Sequence, residues 1–237
     1  LLSQFDARKF CTYSVAVRRP QNSNPSLEAV LAPAKRTSRG RAMESQRSSE
    51  AHRGELVGFP TDDLERKLEA ALATLRAANV PIDGKRVDHA CYRSATKGEY
   101  FAAKRAAEAG GATLLVESMI GGRPIATYAL ARPISTHAIA LLELPAPKPG
   151  RPYATGWEHA EIALGDDLEA VAASLRDHAS LDVDFRAWRK AVNRDVSVGC
   201  PGGFAVKLHA APLDEVVAME LREGLVEPVP ADYWDAH

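Results

Sequence analysis

No run of apolar residues in this 237-residue chain approaches the roughly 20 needed to cross a bilayer. Cysteine is scarce. Cys11, Cys91 and Cys200 show no paired spacing, which argues against a disulfide framework and points to a reducing compartment. Net charge is close to absent at −1, so the chain as a whole does not advertise a nucleic-acid partner. GxSxG, P-loop and GxGxxG patterns are all missing. Serine hydrolase, nucleotide hydrolase and dinucleotide dehydrogenase readings therefore have no local support.

What is present suits an ordinary soluble globular protein, with 46% apolar and 26% charged residues and length enough for one large or two small domains. The charge is uneven. Residues 1–54 carry ten Lys/Arg and four Asp/Glu, or +6, leaving 20 − 27 = −7 for the rest. This leader is rich in Ser, Arg, Gln, Asn and Pro and lacks sustained periodicity, so it buries too little apolar surface to offset ordering entropy. It reads as a disordered or mistranslated leader, or alternatively as an organellar transit peptide. The location follows the same choice: cytoplasmic, or organellar if the leader is a targeting segment. The chain opens on Leu, and Met43 offers an alternative start.

Ordered structure is expected from residue 55 to about 225, with 226–237 a loose, proline-bearing tail. Asp62 and Asp63 favour the positive end of a helix dipole, and Leu64, Leu68, Leu72 and Leu75 recur on one face, predicting a capping helix from Thr61 to about Asn79. A strand follows at 87–93. Thr96 and Glu99 have capping-box spacing for a helix running to Gly110-Gly111. Strands at 112–118, 124–130 and 137–144 come next, the first two joined by the Gly121-Gly122 turn.

That β-α-β-β-β order then repeats. A strand at 157–164 leads to a helix introduced by Asp166 and Asp167, then to weaker strands at 183–185, 191–198 and 203–209. A closing helix is expected from 212 to 223. Residue types repeat too. Asp88-His89-Ala90 opens the first unit and Glu158-His159-Ala160 the second; Glu143 closes the first and His209 the second. The separations are 143 − 89 = 54 and 209 − 159 = 50. The fold class expected is α+β, with two tandem βαβββ modules, about 85–146 and 155–212, curving one sheet around a cleft.

Strand alternation places His89, Cys91 and Arg93 on one face, with His159 and Glu161 on the matching face. Pairing the modules about a pseudo-twofold axis brings His89, Glu143, His159 and His209 together. Three imidazoles and a carboxylate suit a borderline divalent cation: Zn, Fe, Mn, Co or Ni. Asp88 and Glu158 point to the other face and make poor direct ligands. Cys91 reads as a small core residue. His52, His137 and His178 are assigned no role.

At these residues the chain resembles the vicinal-oxygen-chelate superfamily and, more closely, the YecM family of predicted metal-binding proteins. The matching stretches are VDHACYR, ESMIGGRPIATYALARPI, LLELPAPKPGRPY, GWEHAEIAL and AVKLHAAPLDEVV, within residues 60–222; GWEH and GGRPI are the most specific. The resemblance implies a metal-centred cleft with ligands from the first and last strands of each module, hence again His89, Glu143, His159 and His209. Many relatives have Glu where this chain has His209, which weakens a glyoxalase assignment. The superfamily often forms dimers, though no residue here forces one.

The chemistry expected is Lewis-acid catalysis of lyase, isomerase or oxygenase type on a small, oxygen-rich, anionic molecule. Glu161 is the general-base candidate, with a structural salt bridge as its alternative role. Arg93, Arg123 and Lys207 are candidates for holding the substrate. Tyr153 and Trp157 flank the cleft. A non-catalytic protein of the same fold, binding a metal or small ligand, is the competing reading.

Overall fold

The computed structural model describes residues 56–235. The basic leader, Met43 and His52 lie outside the described residues. Helix α1 (Thr61–Ala77) carries Asp62 and Asp63 in its first turn and buries Leu64, Leu68, Ala71, Leu72 and Leu75. Each leucine withdrawn from water in this way contributes about 1.5–3 kcal/mol. Asn79, at φ 58°, takes the left-handed turn that stops the helix, a conformation asparagine tolerates better than most residues.

The first module is β1 (Arg86–Arg93), α2 (Lys97–Ala109), β2 (Thr113–Ile120), β3 (Arg123–Ile134) and β4 (Ile139–Pro145). The Thr96 and Glu99 side chains close the capping box on α2. Gly121 and Gly122 both have positive φ, 59° and 82°, which a two-residue turn between β2 and β3 requires. The second module is β5 (Gly156–Ala163), α3 (Leu168–Arg176), β6 (Asp182–Asp184), β7 (Asp195–Cys200) and β8 (Phe204–His209), followed by α4 (Leu213–Glu223).

All eight strands form one curved α+β sheet in the order β2-β3-β4-β1-β5-β8-β7-β6. Each half has its first and last strands side by side and parallel, β1 with β4 and β5 with β8. The halves meet where β1 runs antiparallel to β5. One face supplies Ala90, Leu142, Leu144, Ala160, Ile162, Val206 and Leu208 to the main core, together with the apolar faces of α1, α2 and α3. Alternation turns the intervening residues to the opposite face, and that face carries the polar cluster. Among the described residues, no helix is long and apolar enough to cross a membrane.

The central β1–β5 ladder contains two bulges. Val87 pairs with Ile162 and His89 with Glu161, so Asp88 is an extra residue on β1. Cys91 pairs with His159 and Tyr92 with Trp157, so Glu158 is an extra residue on β5.

Residues 226–235 are not loose. Met119 N–H donates to the Glu227 carbonyl at 2.9 Å, and Ser118 bridges Pro228 beside β2. The Trp234 ring centre lies 5.4 Å from that of Tyr100 and 4.9 Å from that of Phe101. The prolines break regular structure here, but Tyr233 and Trp234 anchor the segment by aromatic burial.

Candidate metal centre

His89 on β1, Glu143 on β4, and His159 and Glu161 on β5 each offer an atom, and these atoms all lie within 4.8 Å of one another. His89 Nε2 is 3.4 Å from Glu161 Oε1 and 3.6 Å from Glu143 Oε2. His159 Nε2 is 3.2 Å from Glu161 Oε1 and 3.9 Å from Glu143 Oε2. Two donors about 2.1 Å from one tetrahedral ion stand about 3.4 Å apart, so the spacing suits a shared cation.

His89 gives the firmest test of fit. Its ring is buried, and Nδ1–H donates to Asp88 Oδ2 at 3.0 Å. That bond turns Nε2 toward Glu143 and Glu161, where it has no hydrogen-bond partner. A buried, unpartnered nitrogen aimed between two carboxylates, with a carboxylate behind the ring, is the arrangement of a metal-ligating histidine. The bulge allows it: Asp88 leaves the regular alternation and reaches its own neighbour. Its Oδ2 also accepts from Leu213 N–H at 2.8 Å, which ties the start of α4 to the centre.

Charge supports the same fit. Burial works against ionising Glu143, but the nearby His89 imidazole, when charged, holds its carboxyl at about 2. Burial likewise opposes ionisation of Glu161, and Lys207 and His89 drive it well below the usual range. Burial disfavours protonated His89, yet Glu161, Asp88 and Glu143 raise it well above its ordinary value. Burial and nearby Lys207 lower His159. With His89 neutral, the three charges of Asp88, Glu143 and Glu161 would balance Lys207 plus a dication.

The structure departs from the expected ligand set at His209. Its ring lies behind that of His89, with centroids 5.9 Å apart, and its Nδ1–H donates to the Ala211 carbonyl at 2.7 Å. Its buried Nε2 has no hydrogen-bond partner and sits 3.8 Å from both Asp88 Oδ2 and Glu161 Oε2. His209 therefore groups with Asp88 and His89, beside the four-residue cluster and not within it. The reason is register. Glu143 lies opposite Cys91, two residues beyond His89; the corresponding place, opposite Glu161, belongs to Lys207.

Arg93 also departs from expectation. It lies four residues past His89, about 13 Å along the strand. There it donates to Glu158 Oε1 and the Ala154 carbonyl, both at 3.2 Å, and covers the Tyr153 ring. Trp157 belongs to the core, touching Phe59 and Tyr92. Cys91 is buried and also lines the cavity, where burial and Glu143 raise its thiol well above the ordinary value.

The cluster opens into a cavity of about 380 Å³ whose wall includes Arg123, Lys148, Lys190 and Lys207. Arg123 donates to Tyr153 Oη at 2.8 Å and to the Ala146 carbonyl at 3.1 Å, so the Gly-Gly turn does deliver this arginine to the wall. Among the described residues, neither Arg123 nor Lys148 forms an ion pair, whereas Lys190 is paired with Asp195 at 2.7 Å. Helix α4 contributes Leu213, Val216 and Glu220. Burial raises the Glu220 carboxyl, and no cation pairs with it among the described residues. Glu220, Lys148 and Lys190 were not legible as site residues, because they come from a helix face and two loops without a motif.

The family model described as YecM protein matches residues 61–220. Protein YecM of Escherichia coli (strain K12) is 28% identical over 172 residues, covering 67% of this chain and 86% of that protein. A solved structure described as structural-genomics protein EC4020 is 30% identical, with a TM-score of 0.56, covering 67% of this chain and 90% of its own. Methylmalonyl-CoA epimerase from Mycobacterium tuberculosis is 21% identical with a TM-score of 0.38, over 53% of this chain and 87% of that one. The family match spans both modules and every residue of the cluster, and the chain belongs to the YecM family.

Proposed function

We propose that this chain is a divalent-metal-dependent enzyme acting on a small, oxygen-rich anion, with His89, Glu143, His159 and Glu161 holding the ion. The observation that carries this reading is His89 Nε2, buried without a partner and directed between two carboxylates by the Asp88 bond behind it. When bound, such a cation supplies Lewis-acid polarisation of a substrate carbonyl or hydroxyl.

The protein's own groups divide the remaining work. Asp88 fixes the His89 tautomer and ring direction. His209 stands next to Asp88 and Glu161 and supports the set from behind. Arg123 and Lys148, cationic and without ion pairs among the described residues, draw an anion to the wall. Glu161 has its oxygens near Lys207, His89 and His159, which leaves Glu220 as the cavity carboxyl best placed to accept a proton. Leu213 and Val216 on α4 shield that side of the cavity from water.

Metal analysis of the purified full chain tests the reading. About one equivalent of divalent metal is expected in the unaltered protein and almost none in His89→Ala or His159→Ala. Metal-free protein, with the variants unchanged in melting behaviour when zinc is added, refutes it. The engagement of Glu161 favours a second reading, a binding protein that performs no chemistry. Deuterium uptake at the carbon beside the carboxyl of bound hydroxy acids, followed by NMR in D2O, separates the two: a proton-abstracting enzyme incorporates label, a binder does not.

A further inference from the structure

The two modules match through their parallel strand pairs. In the first, His89 is followed two residues later by Cys91, which lies opposite Glu143. In the second, His159 is followed two residues later by Glu161, which lies opposite Lys207. Lys207 thus stands where the repeat provides a carboxylate in the first half. Its ammonium donates to His159 Nε2 at 2.9 Å and to Glu161 Oε1 at 2.8 Å. It uses the lone pair of His159 that an incoming ion would need.

We propose that Lys207 is a tethered cation that stands in for the metal at the His159 corner and, once the metal is bound, holds a negatively charged oxygen of the substrate. This inference rests on the metal reading and names the ligand class: a small carboxylate bearing a second anionic group. One end lies between the ion and Nζ, and the other faces Arg123 and Lys148. Three features converge on it. Lys207 lines the cavity, two further cations without ion pairs among the described residues line the same cavity, and a volume of about 380 Å³ suits a small molecule. A permanent positive charge beside a metal site weakens cation binding and strengthens anion binding.

Zinc affinity of the full chain, measured by competition with a chromophoric chelator, and succinate affinity of the zinc-loaded protein, measured calorimetrically with neutral succinamide as control, test this. Lys207→Met and Lys207→Glu are expected to bind zinc about tenfold more tightly. Lys207→Met should bind succinate about tenfold more weakly, Lys207→Arg should retain succinate binding, and succinamide should not bind. If Lys207→Met does not fold, Lys207→Gln, which keeps a donor for Glu161 without the charge, takes its place. Weaker zinc binding in the neutral variants, or unchanged succinate affinity, overturns the inference while leaving the metal centre standing. Failure of the unaltered protein to bind zinc overturns both.

Discussion

Asp88→Asn removes one charge from a side chain that accepts two donors with the same oxygen, Leu213 N–H at 2.8 Å and His89 Nδ1–H at 3.0 Å. The substitution conserves shape, so no cavity arises. What changes is the bonding: a neutral amide oxygen replaces a carboxylate oxygen, and an NH2 group replaces the other oxygen at a buried position. Hydrogen bonds to charged groups contribute about 1.5–3 kcal/mol, against about 1 for neutral ones. The metal-free protein should therefore lose about 2 kcal/mol, or about 4–8 °C in melting temperature for an ordered region of this size. Zinc affinity should fall about 10–100-fold, because the imidazole loses its fixed tautomer and some basicity. Denaturant unfolding gives the first quantity and chelator competition the second. A loss of stability with zinc affinity unchanged would show that Asp88 only anchors α4, and the ligand-orienting role would be abandoned.

Acid should destabilise the metal-free protein. Glu143, Glu161 and Asp88 are held below their ordinary values, so their contribution is complete above about pH 4.5 and is lost as pH falls toward the folded values, about 2 for Glu143. His89 runs the other way: its imidazolium stabilises the fold below about pH 6.5, and this is lost as pH rises through its elevated value. Zinc must displace that proton, so calorimetry in buffers of differing ionisation enthalpy should show about one proton released near pH 7; no release would contradict a protonated His89. At the other end of the chain, Trp234→Ala should cost about 2 kcal/mol in denaturant unfolding through lost packing on Tyr100 and Phe101. An unchanged midpoint would show the C-terminal segment to be dispensable.

The fold was readable because its markers are local. The Leu64–Leu75 stripe, the Thr96–Glu99 box and the Gly121-Gly122 turn each specify their own element, and the doubled acid-His-Ala pattern shows the duplication. Strand alternation put His89, His159 and Glu161 on one face, and the element order brought Glu143 to them. The fourth position was harder. It depends on the pairing between β5 and β8, which no local pattern specifies: the expected His209 lies two residues beyond Lys207, the residue opposite Glu161, and so beside the four-residue cluster. Asp88 was misplaced for a related reason: strict alternation fails at a bulge, and nothing in VDHA announces one. Glu220 required the packing of α4 across the cavity, which no pattern within that helix encodes.

The paired bulges have a consequence for any attempt to shorten or redesign the central ladder. Outside them, partners on β1 and β5 have residue numbers summing to 249, as in Val87–Ile162 and Tyr92–Trp157; between them the sum is 250, as in His89–Glu161 and Cys91–His159. Each insertion cancels the other. Excising Asp88 alone would make Val87–Ile162 and His89–Glu161 consecutive pairs and keep every other partner, but it would straighten the ladder there and remove the carboxylate behind the His89 ring; excising Glu158 alone would do the same between Cys91–His159 and Tyr92–Trp157 and remove the partner of Arg93. The halves of this molecule are thus locked to one another in their irregularities as well as in their symmetry.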